Sequence, residues 1–218
     1  TLRIVFIYTC CIFVLHSILN DMPKSKVQDP IPAVPPARLN LWLFMVASSM
    51  LFAATVSAFI VHRPDAESRQ AWTAFDLPVF FLYSTIIVVL SSVTIFYAQK
   101  SAKSDELAAN KNYLLLTIVL GIAFCVSQYL GWQQMVRLDL TFVNARPEDI
   151  SASYVWVITL LHFVHIIGGI CLLTGTWFQA LRLNVHKKSM GLMTLTHTYW
   201  HFVGVLWIFL YLFLYFAE

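Results

Sequence analysis

The stretch SYVWVITLLHFVHIIGGICLLTGTWFQAL, residues 153–181, runs for 29 residues without an Asp, Glu, Lys or Arg. As a helix rising about 1.5 Å per residue it reaches roughly 43 Å, more than the ~30 Å hydrocarbon core of a bilayer. Lipid offers no hydrogen bonds to a backbone, so a continuous helix, whose peptide groups bond within the segment, is the conformation this stretch demands. Four further stretches of the same kind flank it, at residues 40–61, 77–99, 112–136 and 196–217. The fold class is therefore all-α, a polytopic transmembrane helix bundle with five clear spans.

Composition agrees. Of 218 residues 59% are hydrophobic and only 11% charged, where a soluble domain of this size carries about 25%. That excludes a soluble enzyme, a disordered chain and a disulfide-stapled module. Cys10, Cys11, Cys125 and Cys171 all sit in apolar runs without a CxxC, and read as small buried hydrophobes. No basic block interleaves with aromatics, so nucleic acid is not an expected partner.

Residues 1–20 form an apolar N-terminal segment in which Leu2–Leu19 is a candidate sixth span. Residues 21–39 hold Pro23, Pro30, Pro32, Pro35 and Pro36 and read as an extended linker, leaving 40–218 as the five-helix membrane domain. Lys and Arg orient the bundle, because short cytoplasmic loops hold the excess. Nine lie on one side (Lys24, Lys26, Arg38, Lys100, Lys103, Lys111, Arg182, Lys187 and Lys188) and four on the other (Arg63, Arg69, Arg137 and Arg146). The C-terminus is thereby expected on the outer face.

Polar residues inside spans carry packing or function, since their burial in hydrocarbon is costly. His162 and His165, three apart, share a helix face that continues through Gly168 and Gly169. His197 and His201 stand four apart, with Gly204 and Tyr211 on much the same stripe. On chemistry alone three readings stay open: hydrogen bonds between helices that glycines let approach, a metal or haem held by imidazoles, and a proton relay. No clear span supplies a carboxylate, which favours packing. Ser49, Ala53 and Ser57 make a small-residue stripe suited to close helix contact. Ser84, Thr85, Ser91, Ser92 and Thr94 put hydroxyls into one span; Gln128 and Trp132 share a face in another. Trp200 and Trp207, seven apart, share a ridge of the last helix.

At these residues the sequence resembles a known family. His162-Phe-Val-His165-Ile-Ile-Gly168-Gly169 is similar to the HxxHxxxG signature of cytochrome c oxidase subunit III. Tyr199-Trp200-His201-Phe202-Val203-Gly204-Val205-Leu206-Trp207 with Leu210-Tyr211 resembles that family's YWHFVDxVWxxLY ending. Trp42-Leu43-Phe44, Met50, Phe52, Leu77-Pro78, Ser84-Thr85, Ser91-Ser92-Val-Thr94 and Gln128-x3-Trp132 extend the match over residues 40–217. The resemblance implies a non-catalytic subunit of an aa3-type haem–copper terminal oxidase, packed on the catalytic subunit I beside subunit II and supporting O2 reduction coupled to proton translocation. It implies no cofactor in this chain, haem and copper in the partner subunits, bound phospholipid, and a respiratory membrane, most simply the bacterial cytoplasmic membrane. His162, His165, Gly168, Gly169, Tyr199, Trp200, His201, Trp207, Tyr211, Trp42, Gln128 and Trp132 are then packing or lipid-contact residues.

The chain departs from the family pattern where Ser48 stands for a glutamate, Gly204 for an aspartate and Gly131 for an acidic residue, so an acidic proton-collecting role is not expected at these positions. Two alternatives remain at this stage. One is an accessory subunit of nitric oxide reductase, whose pattern is closely similar. The other is a small membrane electron carrier binding haem through one histidine from each of the last two helices. A transporter lacks support, since the spans show neither a charged substrate site nor an inverted repeat.

Overall fold

The computed structural model describes residues 36–68, 77–138, 151–181 and 190–217. They form five helices: α1 (Pro36–Ser68), α2 (Val79–Lys103), α3 (Leu107–Arg137), α4 (Ser151–Leu181) and α5 (Gly191–Phe216). All five are long and apolar enough to cross a membrane. Successive helices run antiparallel, as contacts near opposite ends require. Asn110 bonds Ala98 near the α2–α3 turn, and Ser127 Oγ bonds Phe80 O at the far end of the same pair. The candidate span Leu2–Leu19 and most of the expected linker lie outside the described residues.

The helices outrun the apolar stretches that announce them. α1 begins at Pro36, inside the expected linker 21–39, because proline fits a first helical position, where the missing N–H is needed by nothing. It also continues through His62–Ser68, which reads as loop in the sequence. Arg63 and Glu67 pair there across one turn at 2.7 Å, and Arg63 also donates to the carbonyl of Ala217, tying the end of α1 to the end of α5. α3 and α5 likewise start five residues before their apolar stretches. A helix need not stop at the hydrocarbon boundary; only its hydropathy does.

Between α2 and α3 the turn is three residues long. Asp105 adopts φ 58°, Glu106 N donates to Ser101 O at 3.0 Å and Asp105 N to Ala102 O at 3.4 Å. This is the Schellman arrangement, which satisfies the last carbonyls of α2 and turns the chain straight into α3. Lys100 and Lys103 occupy the last turn of α2, where the helix dipole favours cations.

Buried positions form one stripe on each outer helix. On α1 they are Met45, Ser48, Phe52, Val56 and Phe59; on α2 they are Phe81, Ser84, Val88, Ser91, Ile95 and Ala98. The stripe Ser49–Ala53–Ser57, whose small residues suit close helix contact, faces outward from the bundle. Ser49 Oγ bonds its own helix, at Met45 O, over 2.9 Å. The reason is size: Phe52 and Phe59 bury far more apolar surface than serine and alanine, so their face turns inward. α5 packs against all four other helices and α4 against α1, α3 and α5, so these two carry the centre of the bundle.

α3 approaches α2 closely at Gly131, where an added Cβ would stand 2.6 Å from a carbon of the Phe81 ring. Phe81 is itself fully buried. Gly131→Ala is expected to destabilise the bundle by about 1–3 kcal/mol, the usual cost of overpacking. Phe81→Leu added to that variant should recover part of the loss, read as the midpoint of thermal unfolding in detergent. An alanine variant as stable as the parent, or a double variant showing no recovery, would contradict this packing.

Candidate functional site

Trp200 and Trp207 enter the centre of the bundle from α5 on a common ridge, as their spacing of seven predicts, and both are buried. The Trp200 indole lies between two glycines. An added Cβ would stand 3.0 Å from it at Gly121 of α3 and at Gly169 of α4. Its Nε1–H donates to Ser91 Oγ of α2 at 3.0 Å. Two turns along, Trp207 Nε1–H donates to Thr85 Oγ1 at 3.0 Å. Its ring meets Phe81 and Phe124 edge to face, with centroids 5.9 and 5.3 Å away, and His162 at 5.0 Å. Each tryptophan therefore joins α5 to α2, α3 and α4 at once.

One device recurs in these bonds. Ser91 Oγ donates to Val88 O, Thr85 Oγ1 to Phe81 O and Ser84 Oγ to Phe81 O, all within α2. A hydroxyl has a single proton, so each of these oxygens faces the neighbouring helix as an acceptor. Trp200, Trp207 and the Gln128 side-chain amide (2.8 Å to Ser84) supply the donors. Trp132 repeats the pattern on Thr159, which itself bonds back to Val155 O. The Trp132 ring also stacks on Trp156 at 5.6 Å and meets Phe163 edge to face at 5.0 Å.

The histidines of α4 share a face, as the spacing requires, and both touch Phe52 of α1. His165 Nδ1 lies 2.8 Å from Leu161 O and Nε2 3.1 Å from Ser48 Oγ. A carbonyl only accepts, so Nδ1 carries the proton; in the neutral ring Nε2 then accepts the Ser48 hydroxyl. Tyr199 Oη donates to His165 O at 3.0 Å. His165 thus links α1, α4 and α5. His162 is fully buried among Phe52, Phe124 and Trp207, and among the described residues neither ring nitrogen has a hydrogen-bond partner. Gly168 is buried beside Gly169.

His197 and His201 lie elsewhere, half-exposed on α5, with their Nε2 atoms 3.2 Å apart. The stripe on which the sequence sets them divides: Gly204 is buried against Ser92 and Val88 of α2, whereas Tyr211 is half-buried and stacks on Tyr215. Trp42 is 60% exposed on the outer side of α1. The α4 pair faces the buried interior and the α5 pair a half-exposed side of its helix, so a bis-histidine haem between the last two helices has no arrangement here to favour it. The pairing of these polar residues across helices, the hydroxyl-to-indole bonds above all, was not readable from spacing.

If these bonds hold the bundle, the Trp207–Thr85 pair should show a coupling of about 0.6–1.7 kcal/mol in a Trp207→Phe, Thr85→Val double-mutant cycle. Additive losses would remove the bond from the account. The two α4 histidines should also respond differently. His162→Leu removes two unpartnered buried nitrogens at similar volume and is expected to leave thermal stability unchanged or raised. His165→Leu strands the Ser48 hydroxyl and should cost about 1–3 kcal/mol. Equal losses in the two variants would refute the distinction.

The profile of the family described as cytochrome c oxidase subunit III matches residues 31–218. The chain is 28% identical to cytochrome c oxidase subunit 3 of Thermostichus vulcanus, over 81% of this chain and 85% of that protein. It is 26% identical to the subunit 3 of Bacillus subtilis (strain 168), over 79% and 82% of the two chains. For that of Corynebacterium diphtheriae the identity is 27%, over 81% and 85%.

Proposed function

Because the chain belongs to the cytochrome c oxidase subunit III family, we propose that it packs directly on the haem- and copper-bearing subunit I of a respiratory oxidase, with subunit II in the same assembly. It is an integral membrane subunit of a haem–copper oxidase complex, drawn from a family without redox centres of its own. Its part in O2 reduction and coupled proton translocation is then that of a scaffold: it contributes no reacting group, and it holds a fixed apolar body and its lipids beside the subunit that does the chemistry.

The observation that carries this reading is where the signature residues spend their polar atoms. Trp200, Trp207, Tyr199 and His165 all bond inward to other helices of the same chain. A residue committed to holding helices together is poorly free to bind a substrate. Gln128 and Trp132 are committed in the same way, and Gly169 gives up its side-chain volume to Trp200. Trp42 and the exposed apolar faces of α1 and α2, among them Met50, Ile60, Leu90 and Phe96, suit phospholipid acyl chains and the neighbouring subunit. The nine-to-four distribution of Lys and Arg supports an outward C-terminus, in a bacterial cytoplasmic membrane.

Affinity purification from native membranes through a tag on this chain should bring down a haem-bearing large subunit in equal amount, with copper in the metal analysis. The chain expressed alone should show no Soret band. Recovery only as an isolated monomer would sink the reading. A Soret band in the isolated chain would favour the electron carrier, and a haem-bearing partner without copper would favour the nitric oxide reductase.

A further inference from the structure

Among the described residues, His197 and His201 are a pair of titratable side chains in a span that take no part in the bonds between helices. Both project from one side of α5, ring centroids 4.4 Å apart, with Nε2 of one 3.2 Å from Nε2 of the other. Among the described residues neither imidazole bonds to any other group. Both stay half-exposed while Trp200, between them in sequence, is buried.

The spacing is one that two metal ligands on a helix can use, and the two rings are close enough to share an ion once their own hydrogen bond is given up. Histidines four apart lie one turn above each other, which is why such a pair serves as a zinc chelate in helical metal sites. With zinc–nitrogen bonds of about 2.0–2.1 Å, two nitrogens 3.2 Å apart subtend about 100° at the ion, close to tetrahedral. Moving the donor ring's proton from Nε2 to its Nδ1, which breaks the Nε2–H···Nε2 bond, leaves each neutral ring with a lone pair on Nε2. Depth permits access. At about 1.5 Å per residue the 26-residue α5 exceeds a ~30 Å hydrocarbon core by roughly 9 Å. His197, six residues from the start, then lies about 5 Å below the headgroup boundary. Lys103 ends α2, which runs antiparallel to α5 through the Trp200–Ser91 and Trp207–Thr85 bonds, so it lies at the end of the bundle where His197 stands, and its long stem lets the ammonium reach water.

We propose that His197 and His201 chelate one divalent transition-metal ion of the zinc class at the Lys-rich end of the bundle, with water completing the coordination. His197 lies two residues ahead of the subunit III signature and His201 within it, so the pair is not accounted for by the internal packing of that signature. Lys103 opposes the ion's charge and keeps its affinity moderate, which suits a reversibly occupied site.

The test is equilibrium dialysis of the intact oxidase complex against Zn2+, with bound metal counted by mass spectrometry. The parent should hold one more zinc per complex than the His197→Ala or His201→Ala complex. Either substitution should weaken the site at least about tenfold, since loss of a supporting group alone costs 10–100-fold. The double variant should be no weaker than either single one, because a chelate is lost with its first ligand. His197→Gln can still hydrogen-bond His201 yet ligates poorly, so it should lose the zinc while keeping the subunit in the complex. Lys103→Met should tighten binding severalfold. Unchanged zinc content in His197→Gln with the subunit retained would overturn the proposal, and so would weaker zinc binding in Lys103→Met, which would contradict a lysine charge opposing the ion.

Discussion

A hydroxyl inside a hydrocarbon-solvated bundle has one proton to give, and the bundle is organised around where that proton goes. On α2, Ser84, Thr85 and Ser91 each give theirs to a carbonyl of their own helix. What remains is a row of oxygen lone pairs aimed at the neighbouring helices. The indole N–H groups of Trp200 and Trp207 and the amide of Gln128 fill that row. Indole nitrogen donates and never accepts, so the match is directional: tryptophan on α5 requires hydroxyls on α2, and neither can be exchanged for the other's chemistry. Lipid solvates apolar side chains as well as a helix neighbour does, which removes the ordinary hydrophobic drive to association. Directional bonds and close packing must supply it, and here both act through the same two side chains.

The glycines belong to the same arrangement. An indole is the largest side chain to fit between helices, and Trp200 fits because Gly121 and Gly169 leave its two sides empty. At Gly131 the relation extends to the family's pattern. The acidic side chain expected before Trp132 would need the space that the Phe81 ring fills, so a glycine there and a phenylalanine on α2 go together. At Ser48 the substitution is polar for polar: the hydroxyl keeps a partner for His165 Nε2 without bringing a charge into the spans. The inner polar network is therefore neutral throughout the positions where the family pattern is acidic, and it ties helices together without a group that could carry a proton away as a carboxylate would.

What could be read from the sequence follows from the length scale of each interaction. The five spans were legible because hydropathy is a sum over twenty residues. The shared faces of His162 with His165 and of Trp200 with Trp207 were legible because helical periodicity is local. The helix ends were not, since Pro36–Leu39, His62–Ser68 and Leu107–Lys111 are helical residues with polar or mixed flanks, and hydropathy reports the lipid boundary rather than the last hydrogen bond. The inward side of α1 was not legible for another reason. Its small-residue stripe and its Met45–Ser48–Phe52–Val56–Phe59 stripe both have helical spacing, and only the partner helices decide which is covered. Pairings such as Trp207 with Thr85 join residues far apart in the chain, so no local pattern could announce them.

The contrast between the two histidine pairs bears on what kind of subunit this is. On α4 one imidazole is spent on a three-helix junction and the other is walled in by aromatic rings. On α5 the imidazoles bond, among the described residues, only to each other, at the Lys103 end of the α2 contact. The inner pair is thus enclosed by the packing of the bundle, while the α5 pair is half-exposed, where a metal ion, a headgroup or another subunit can reach it. A scaffold built in this way can be influenced from outside without disturbing its core, because the surface pair takes no part in the indole–hydroxyl bonds on which the helices depend.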